Sequence, residues 1–381
     1  MTASITDVDV SVDARYLQRP GIGISVYVAG VIRQLLDHDA RVTLLTDAAD
    51  HGDRLREDYP GAAVVVLEGR SGFVWEQWTL PRYLRSRGHA VHIAGANYGL
   101  PLAPVGATRL VLIVHDLIPL RMPRMYLLSR PAWAVKYLLS TLIALPRAAL
   151  IVTPSQATAD DVRRWARHRR VGVRYPPLTG APAASDVPEL PSGWPRRFLL
   201  YNGGLDPRKN VGRLLEAFRL YRRDGGDHDL VLMGRGYEPY LPMATRLGIE
   251  AAVRMPGYVD EATKHAATAR AGAMVYPSSW EGFGLPVLEA LGAGTPVVSG
   301  TRGSLREVGG DAVVYVDVDD AASIARGIAQ ALEPGRRDRV RALAPRQLAS
   351  LVTPAGADPL LAFVQRSGAG ASSAAATGAG V

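Results

Sequence analysis

A chain of 381 residues that is 48% apolar, with mean hydropathy +0.03 and net charge +8, suits two globular domains of about 150 to 190 residues, not a disordered or membrane-spanning protein. It holds no cysteine, which excludes thiolate catalysis, disulfides and thiolate metal sites. The charge comes from arginine in large excess over lysine and favours anionic partners, phosphates or acidic lipid headgroups; without a recognition-helix, zinc-finger or aromatic stacking motif, nucleic acid is not an expected partner.

The N-terminus has no basic patch followed by an apolar stretch, so the chain is expected in the cytoplasm. Short apolar runs then alternate with segments of helical period, the pattern of parallel sheets covered by helices. Strands are predicted at Val8–Val12, Val42–Leu45, Val64–Leu67, Leu110–Val114 and Leu150–Val152, with helices at Ile24–Leu36, Pro131–Leu145 and Ala157–Arg167. A second block has strands at Phe198–Tyr201, Leu230–Met233, Val253–Met255, Ala273–Tyr276, Pro296–Ser299 and Val313–Val316. Asn210 reads as the N-cap of a helix whose Val211, Leu214, Leu215 and Phe218 face the sheet.

The expected division is an N-terminal domain over 1–178, a proline-rich linker over 179–195, a second domain over 196–345, and a divergent tail over 346–381 whose alanine-glycine end should be disordered. The predicted fold class is α/β: two Rossmann-like, doubly wound parallel-sheet domains facing a cleft, where ligands bind beyond the carboxyl ends of the strands.

The segment Glu281-Gly-Phe-Gly-Leu-Pro-Val-Leu-Glu289 follows the strand Ala273–Tyr276. Pro286 suits the first helical turn, so a helix should start near Leu285. Gly282 and Gly284 allow close backbone approach, and with the amides of Phe283 and Leu285 the helix start can cradle a diphosphate. Glu281 and Glu289 would then take the hydroxyls of the sugar and ribose rings on either side. A plain strand-turn-helix with two solvated glutamates is the alternative.

These residues resemble the Glu-x7-Glu motif of retaining glycosyltransferases of family 4, and the likeness extends from Asp13 to about Leu332. It implies a GT-B architecture, with the donor on the second domain and the acceptor on the first. Asn202-Gly-Gly-Leu-Asp-Pro-Arg-Lys-Asn210 resembles the family's phosphate loop, with Gly203 and Gly204 approaching the donor and Arg208 and Lys209 neutralising the leaving diphosphate; an arginine often stands where Gly204 is here. Gly21 and Gly23 resemble its N-terminal glycine loop. His115 would lie beside the transferred sugar, with Asn97 and Tyr98 on the acceptor side. Gly257, Tyr258 and Val259 resemble the loop that meets the base, and Glu307 a structural glutamate behind the site.

Glu281, His115, Arg208 and Lys209 are thus the expected catalytic group. No metal or resident cofactor is expected, since the cations and helix N-terminus can neutralise the leaving group; Asp7/Asp9 and Asp317/Asp319 have metal-pair spacing but sit in turns. The co-substrate is a nucleotide-diphosphate sugar, with GDP-mannose the first candidate, and the acceptor a glycan, glycolipid or small molecule. The basic stretches Arg163–Arg170 and Arg121–Leu128 suggest peripheral contact with an acidic membrane surface. The rival functions are an epimerase or phosphorylase on the same fold, or a non-catalytic scaffold, motivated by the lack of an obvious last helix crossing back to the first domain.

Overall fold

Runs of apolar and β-branched residues, too short for helices, form the strands, and the central ones are buried on both faces. The computed structural model describes residues 5–18, 23–68, 72–97, 99–166, 170–177 and 187–378. They fall into two units: one takes the chain up to Pro177 and again from Thr353, the other is Leu178–Val352.

In the first unit β1 (Asp9–Asp13), β2 (Arg41–Thr46), β3 (Ala63–Val66), β4 (Val91–Ala94), β5 (Arg109–Ile113), β6 (Leu150–Thr153) and β7 (Val171–Val173) make one parallel sheet, ordered β3-β2-β1-β4-β5-β6-β7. Val10 sits between Val42 and Val91 in register. The helix Gly23–Asp37 covers the sheet with Tyr27, Val28, Val31, Ile32 and Leu35, all buried at helical spacing. Two strands were not legible in the sequence. β4 is interrupted by His92, which is fully buried and shares a 2.9 Å hydrogen bond with the Ser11 hydroxyl; β7 is three residues long and contains Gly172.

In the second unit β8 (Phe198–Asn202), β9 (Asp229–Met233), β10 (Val253–Gly257), β11 (Ala273–Tyr276), β12 (Val297–Ser299) and β13 (Val314–Tyr315) form a parallel sheet ordered β10-β9-β8-β11-β12-β13. Strand order reverses between β1 and β4 in one sheet and between β8 and β11 in the other. Each reversal leaves a crevice beyond the carboxyl ends of those strands. Both units are Rossmann-like, as expected.

Two expectations are corrected. Asn210 precedes the helix Val211–Arg223 in a left-handed conformation (φ 62°) and makes no side-chain cap; its amide donates to the Val318 carbonyl at 2.6 Å. The region from 346 is not a disordered tail: Arg336–Ser350 and Pro359–Gly378 are helices. Leu360, Phe363 and Val364 enter the first unit's core. Asp358 accepts from the Leu360 amide at 2.8 Å and pairs with buried Arg174 at 3.0 Å, while Pro359 packs where Gly172 has no side chain. The alanine-glycine composition of the end obscured the apolar spacing of Leu360, Leu361, Phe363 and Val364. A last helix on the first unit therefore exists, which removes the observation that motivated a scaffold. Of the expected linker, 179–186 lies outside the described residues; beyond it, the Pro188 carbonyl accepts from Arg270.

Candidate active site

The turn after β8 and the loop after β11 flank the strand-order reversal of the second sheet. Asp206 accepts from the Arg208 amide at 3.1 Å and starts the short turn Pro207–Lys209, which points both cations toward the β11 loop. There Glu281, 6% exposed, meets Lys209 Nζ at 2.6 Å through Oε1 and Arg208 Nη1 at 2.7 Å through Oε2. Tyr276 at the end of β11 donates its hydroxyl to the same Oε1 at 2.9 Å and accepts from Lys209. Burial opposes ionisation of Glu281, but Lys209 and Arg208 outweigh it and hold the carboxyl at about 2. Burial pulls the Lys209 ammonium down, against the attraction of Glu281. The site is a buried carboxylate between two cations.

The glycine-rich loop runs into the helix Leu285–Gly292, which starts where the sequence predicts and has Pro286 in its first turn. Gly284 is its N-cap at φ 99°, a conformation that disfavours any side chain. Gly303 lies flat against the loop: a Cβ there would stand 2.3 Å from the Glu281 carbonyl, and its φ is 68°. Ser304 adds bonds from its amide to the Glu281 carbonyl at 3.1 Å and from its hydroxyl to the Phe283 carbonyl at 2.6 Å. Gly282 and Phe283 are buried and Leu285 half-buried beside this brace. Glu289, one turn into the helix, is paired with Lys264 at 3.2 Å, and Lys264 also meets Glu261 at 2.7 Å.

Behind the phosphate-loop glycines stand buried tyrosines. Tyr201 donates to the Gly204 carbonyl at 3.0 Å, and Tyr237 donates to the Gly203 carbonyl. A Cβ at Gly203 would meet the Tyr201 hydroxyl at 2.5 Å, whereas Gly204 has nothing within 4 Å, so a side chain has room there. Gly257 ends β10 with φ 79° and its carbonyl accepts from Gly234 at 3.0 Å. Tyr258 is 64% exposed under the Arg235 guanidinium, and Val259 is half-buried.

In the first unit Asn97 and His115 are brought together beyond β4 and β5. The Asn97 side chain accepts from the His115 amide at 2.7 Å and donates to the Asp116 carbonyl at 2.9 Å. The Gly95 carbonyl can only accept, so His115 Nε2 carries a proton and donates to it at 2.8 Å. Burial lowers the imidazole to about 4, despite that bond, and keeps it neutral at neutral pH. Tyr27 packs edge-on against it at 5.3 Å. Gly23 opens the helix Gly23–Asp37; Gly21 and Tyr98 lie outside the described residues. The Glu307 carbonyl accepts from Gln347 at 2.8 Å, tying its short helix to Arg336–Ser350. Asp9 bonds His89, and Asp319 bonds Arg302, each at 2.7 Å.

Two family models match the chain: "Glycosyltransferase Family 4" over residues 22–178 and "Glycosyl transferases group 1" over 188–345. The chain belongs to glycosyltransferase family 4. Curated relatives of this transferase family include O-antigen chain mannosyltransferase B of Escherichia coli, 32% identical over 63% of this chain and 64% of its own length. The phosphatidyl-myo-inositol mannosyltransferase of Mycolicibacterium smegmatis is 34% identical over 49% of each chain. The chain thus matches 64% and 49% of the length of these two relatives. Among solved structures, HepE of Anabaena in complex with UDP-glucose superposes over 96% of this chain and 99% of its own with TM-score 0.66 at 19% identity. Sucrose-phosphate synthase of Thermosynechococcus elongatus covers 90% of this chain and 96% of its own, with TM-score 0.66 at 18% identity. These likenesses establish the GT-B fold.

The sequence pattern pointed to Glu281, Arg208, Lys209 and the glycine-rich loop, and missed Tyr276, Lys264 and the Gly303–Ser304 brace. A signal for Lys264 was present. The chain has only three lysines, and two of them, Lys209 and Lys264, pair with the motif's two glutamates.

Proposed function

We propose that the protein is a retaining hexosyltransferase, moving a hexose, mannose first, from a nucleotide-diphosphate sugar to a hydroxyl of a glycan, glycolipid or small-molecule acceptor in the making of cell-envelope polysaccharide or glycoconjugate. The observation that carries this reading is Glu281 held between Arg208 and Lys209 at the mouth of the glycine-rich loop. An incoming diphosphate competes with Glu281 for both cations and for the helix N-terminus. Glu281, released in part, is left to accept hydrogen bonds from the sugar, and Glu289 to accept them from the ribose.

The bond from the anomeric carbon to the diphosphate oxygen breaks with its electron pair leaving on the phosphate, where Arg208, Lys209 and the loop amides stabilise the charge. The acceptor hydroxyl bonds to the same face of that carbon, and its proton passes to the departing phosphate oxygen. Cations and helix N-terminus do the work a metal would otherwise do, so no metal is required. Relatives named as mannosyltransferases support mannose, and with it GDP-mannose as donor. The enzyme works in the cytoplasm, in peripheral contact with an acidic membrane surface.

The test is a panel of nucleotide sugars, GDP-mannose and UDP-glucose included, with acceptors, in the presence of a chelator. Product with the donor's anomeric configuration, at a rate the chelator leaves unchanged, is expected. An inverted product, an epimerised donor, or loss of turnover on chelation would overturn the corresponding part.

A further inference from the structure

The helix Pro131–Arg147 shows a largely apolar stripe to solvent. Its inward side, Ala134, Tyr137, Thr141, Ala144 and Leu145, is buried. At 100° per residue Ala132, Val135, Leu139 and Pro146 share the opposite side, where Val135 is 58% and Leu139 56% exposed. An exposed apolar stripe of this kind, broken by charge on the helix only at Lys136 and Arg147, is one that a soluble helix ordinarily buries. Among the described residues, no helix is long and apolar enough to cross a membrane.

The surroundings are cationic. Between Asp116 and Asp160 the chain has no acidic residue, and it carries Arg121, Arg124, Arg130, Lys136 and Arg147. Arg124, Arg130 and Lys136 are exposed, as is Leu128 at 74%. Trp133, 40% exposed, stacks on Tyr137 at 5.1 Å with Tyr126 at 6.4 Å, an aromatic group of the kind that sits at headgroup depth.

We propose that this helix and the turn before it form the membrane-docking face, lying in the plane of an anionic phospholipid surface with Val135 and Leu139 inserted and Arg124, Arg130 and Lys136 among the headgroups. Charge complementarity selects lipid over a second copy of the chain, which would bring the same cations face to face. The other basic stretch is engaged locally: Arg163 pairs with Asp160 at 2.9 Å and donates to the Val171 carbonyl at 3.3 Å, and 167–169 lie outside the described residues. The assignment deepens the membrane contact of the reading above and rests on it for its purpose, presenting a lipid-borne acceptor. Vesicle binding is read without donor or acceptor, so either idea can fail alone.

The experiment is flotation of the full chain with phosphatidylcholine vesicles, with and without phosphatidylglycerol, across salt concentrations. Wild type is expected to bind the anionic vesicles roughly tenfold more tightly than the neutral ones, less so as salt screens the charges. The double variant Val135→Glu/Leu139→Glu is expected to lose roughly tenfold in vesicle binding, each carboxylate being costly in the interface, while circular dichroism and nucleotide-diphosphate binding stay unchanged. Because both positions are exposed, folding is preserved; Arg124→Glu/Arg130→Glu is a second variant that must also lose binding. Equal binding to neutral and anionic vesicles, undiminished binding by either variant, or a wild-type dimer in sedimentation that Val135→Glu/Leu139→Glu abolishes would overturn the assignment.

Discussion

Replacing Glu281 by Gln keeps the shape of the side chain and removes the charge that Arg208 and Lys209 share. The carboxyl is held at about 2 against an ordinary 4.5, and at ~1.4 kcal/mol per pH unit its ionisation contributes about 3 kcal/mol to the folded second unit. Lys209 is buried in wild type and variant alike, but the amide oxygen that replaces the carboxylate can still accept its hydrogen bond, leaving about 2 kcal/mol as the expected loss in the variant. For a unit the size of Leu178–Val352 that is a fall of about 4–8 °C in Tm. The sign follows from a depressed acid: the contribution is complete above pH 4.5 and disappears as pH falls toward 2. Thermal unfolding followed by far-ultraviolet circular dichroism should show a constant gap between the proteins from pH 5 to 8, closing in acid. With the cations released from their internal carboxylate, nucleoside diphosphates without a sugar should bind the variant about three- to tenfold more tightly. A variant as stable as wild type at pH 7, or one that binds nucleoside diphosphates more weakly, would refute the reasoning.

Kinetics should separate the motif's two glutamates: Glu289→Ala raising the donor KM about tenfold with little change in kcat, Glu281→Ala chiefly lowering kcat; normal values for both would remove the motif from the reaction. Gly303→Ala forces a Cβ to within 2.3 Å of the Glu281 carbonyl at φ 68°, and denaturation should record a loss of about 2–3 kcal/mol with weakened diphosphate binding. Asp358→Ala strands buried Arg174 and removes the acceptor at the start of the last helix, so the first unit should lose about 3–5 kcal/mol in urea unfolding. His115 and His92 are each lowered to about 4 by burial. Proton NMR should find both imidazoles neutral down to about pH 4, with stability lost as pH falls from 6.5 toward 4, where only the unfolded chain takes up these protons.

The site's side of the second unit was more legible than the first unit because β8 and β11, whose loops carry Arg208, Lys209 and Glu281, are short apolar runs without a charged interruption. Leu285 as the helix start was readable because Pro286 and Gly284 have one good use at that place. β4 was invisible because His92 looks polar, and only the Ser11 hydroxyl across the sheet makes it an interior residue. The last helix was hidden by its composition. Nothing local says that Leu360, Phe363 and Val364 fill a core begun more than three hundred residues earlier at Val10 and Val12.

By itself the sequence determined the class of fold, the glycine-rich loop and the four charged residues worth testing beside it, since periodicity, turn chemistry and residue type are local properties. Tertiary structure decided their state. Lys209 and Glu281 are 72 positions apart, as are Arg208 and the Trp280 carbonyl it bonds; only the adjacency of β8 and β11 brings them within hydrogen-bond reach. The fold likewise turned the paired glutamates from two bare clamps into two salt-bridged carboxylates, one to Arg208 and Lys209, the other to Lys264. Charge at hydrogen-bond distance is a property of the folded chain, and a linear reading contains no distance.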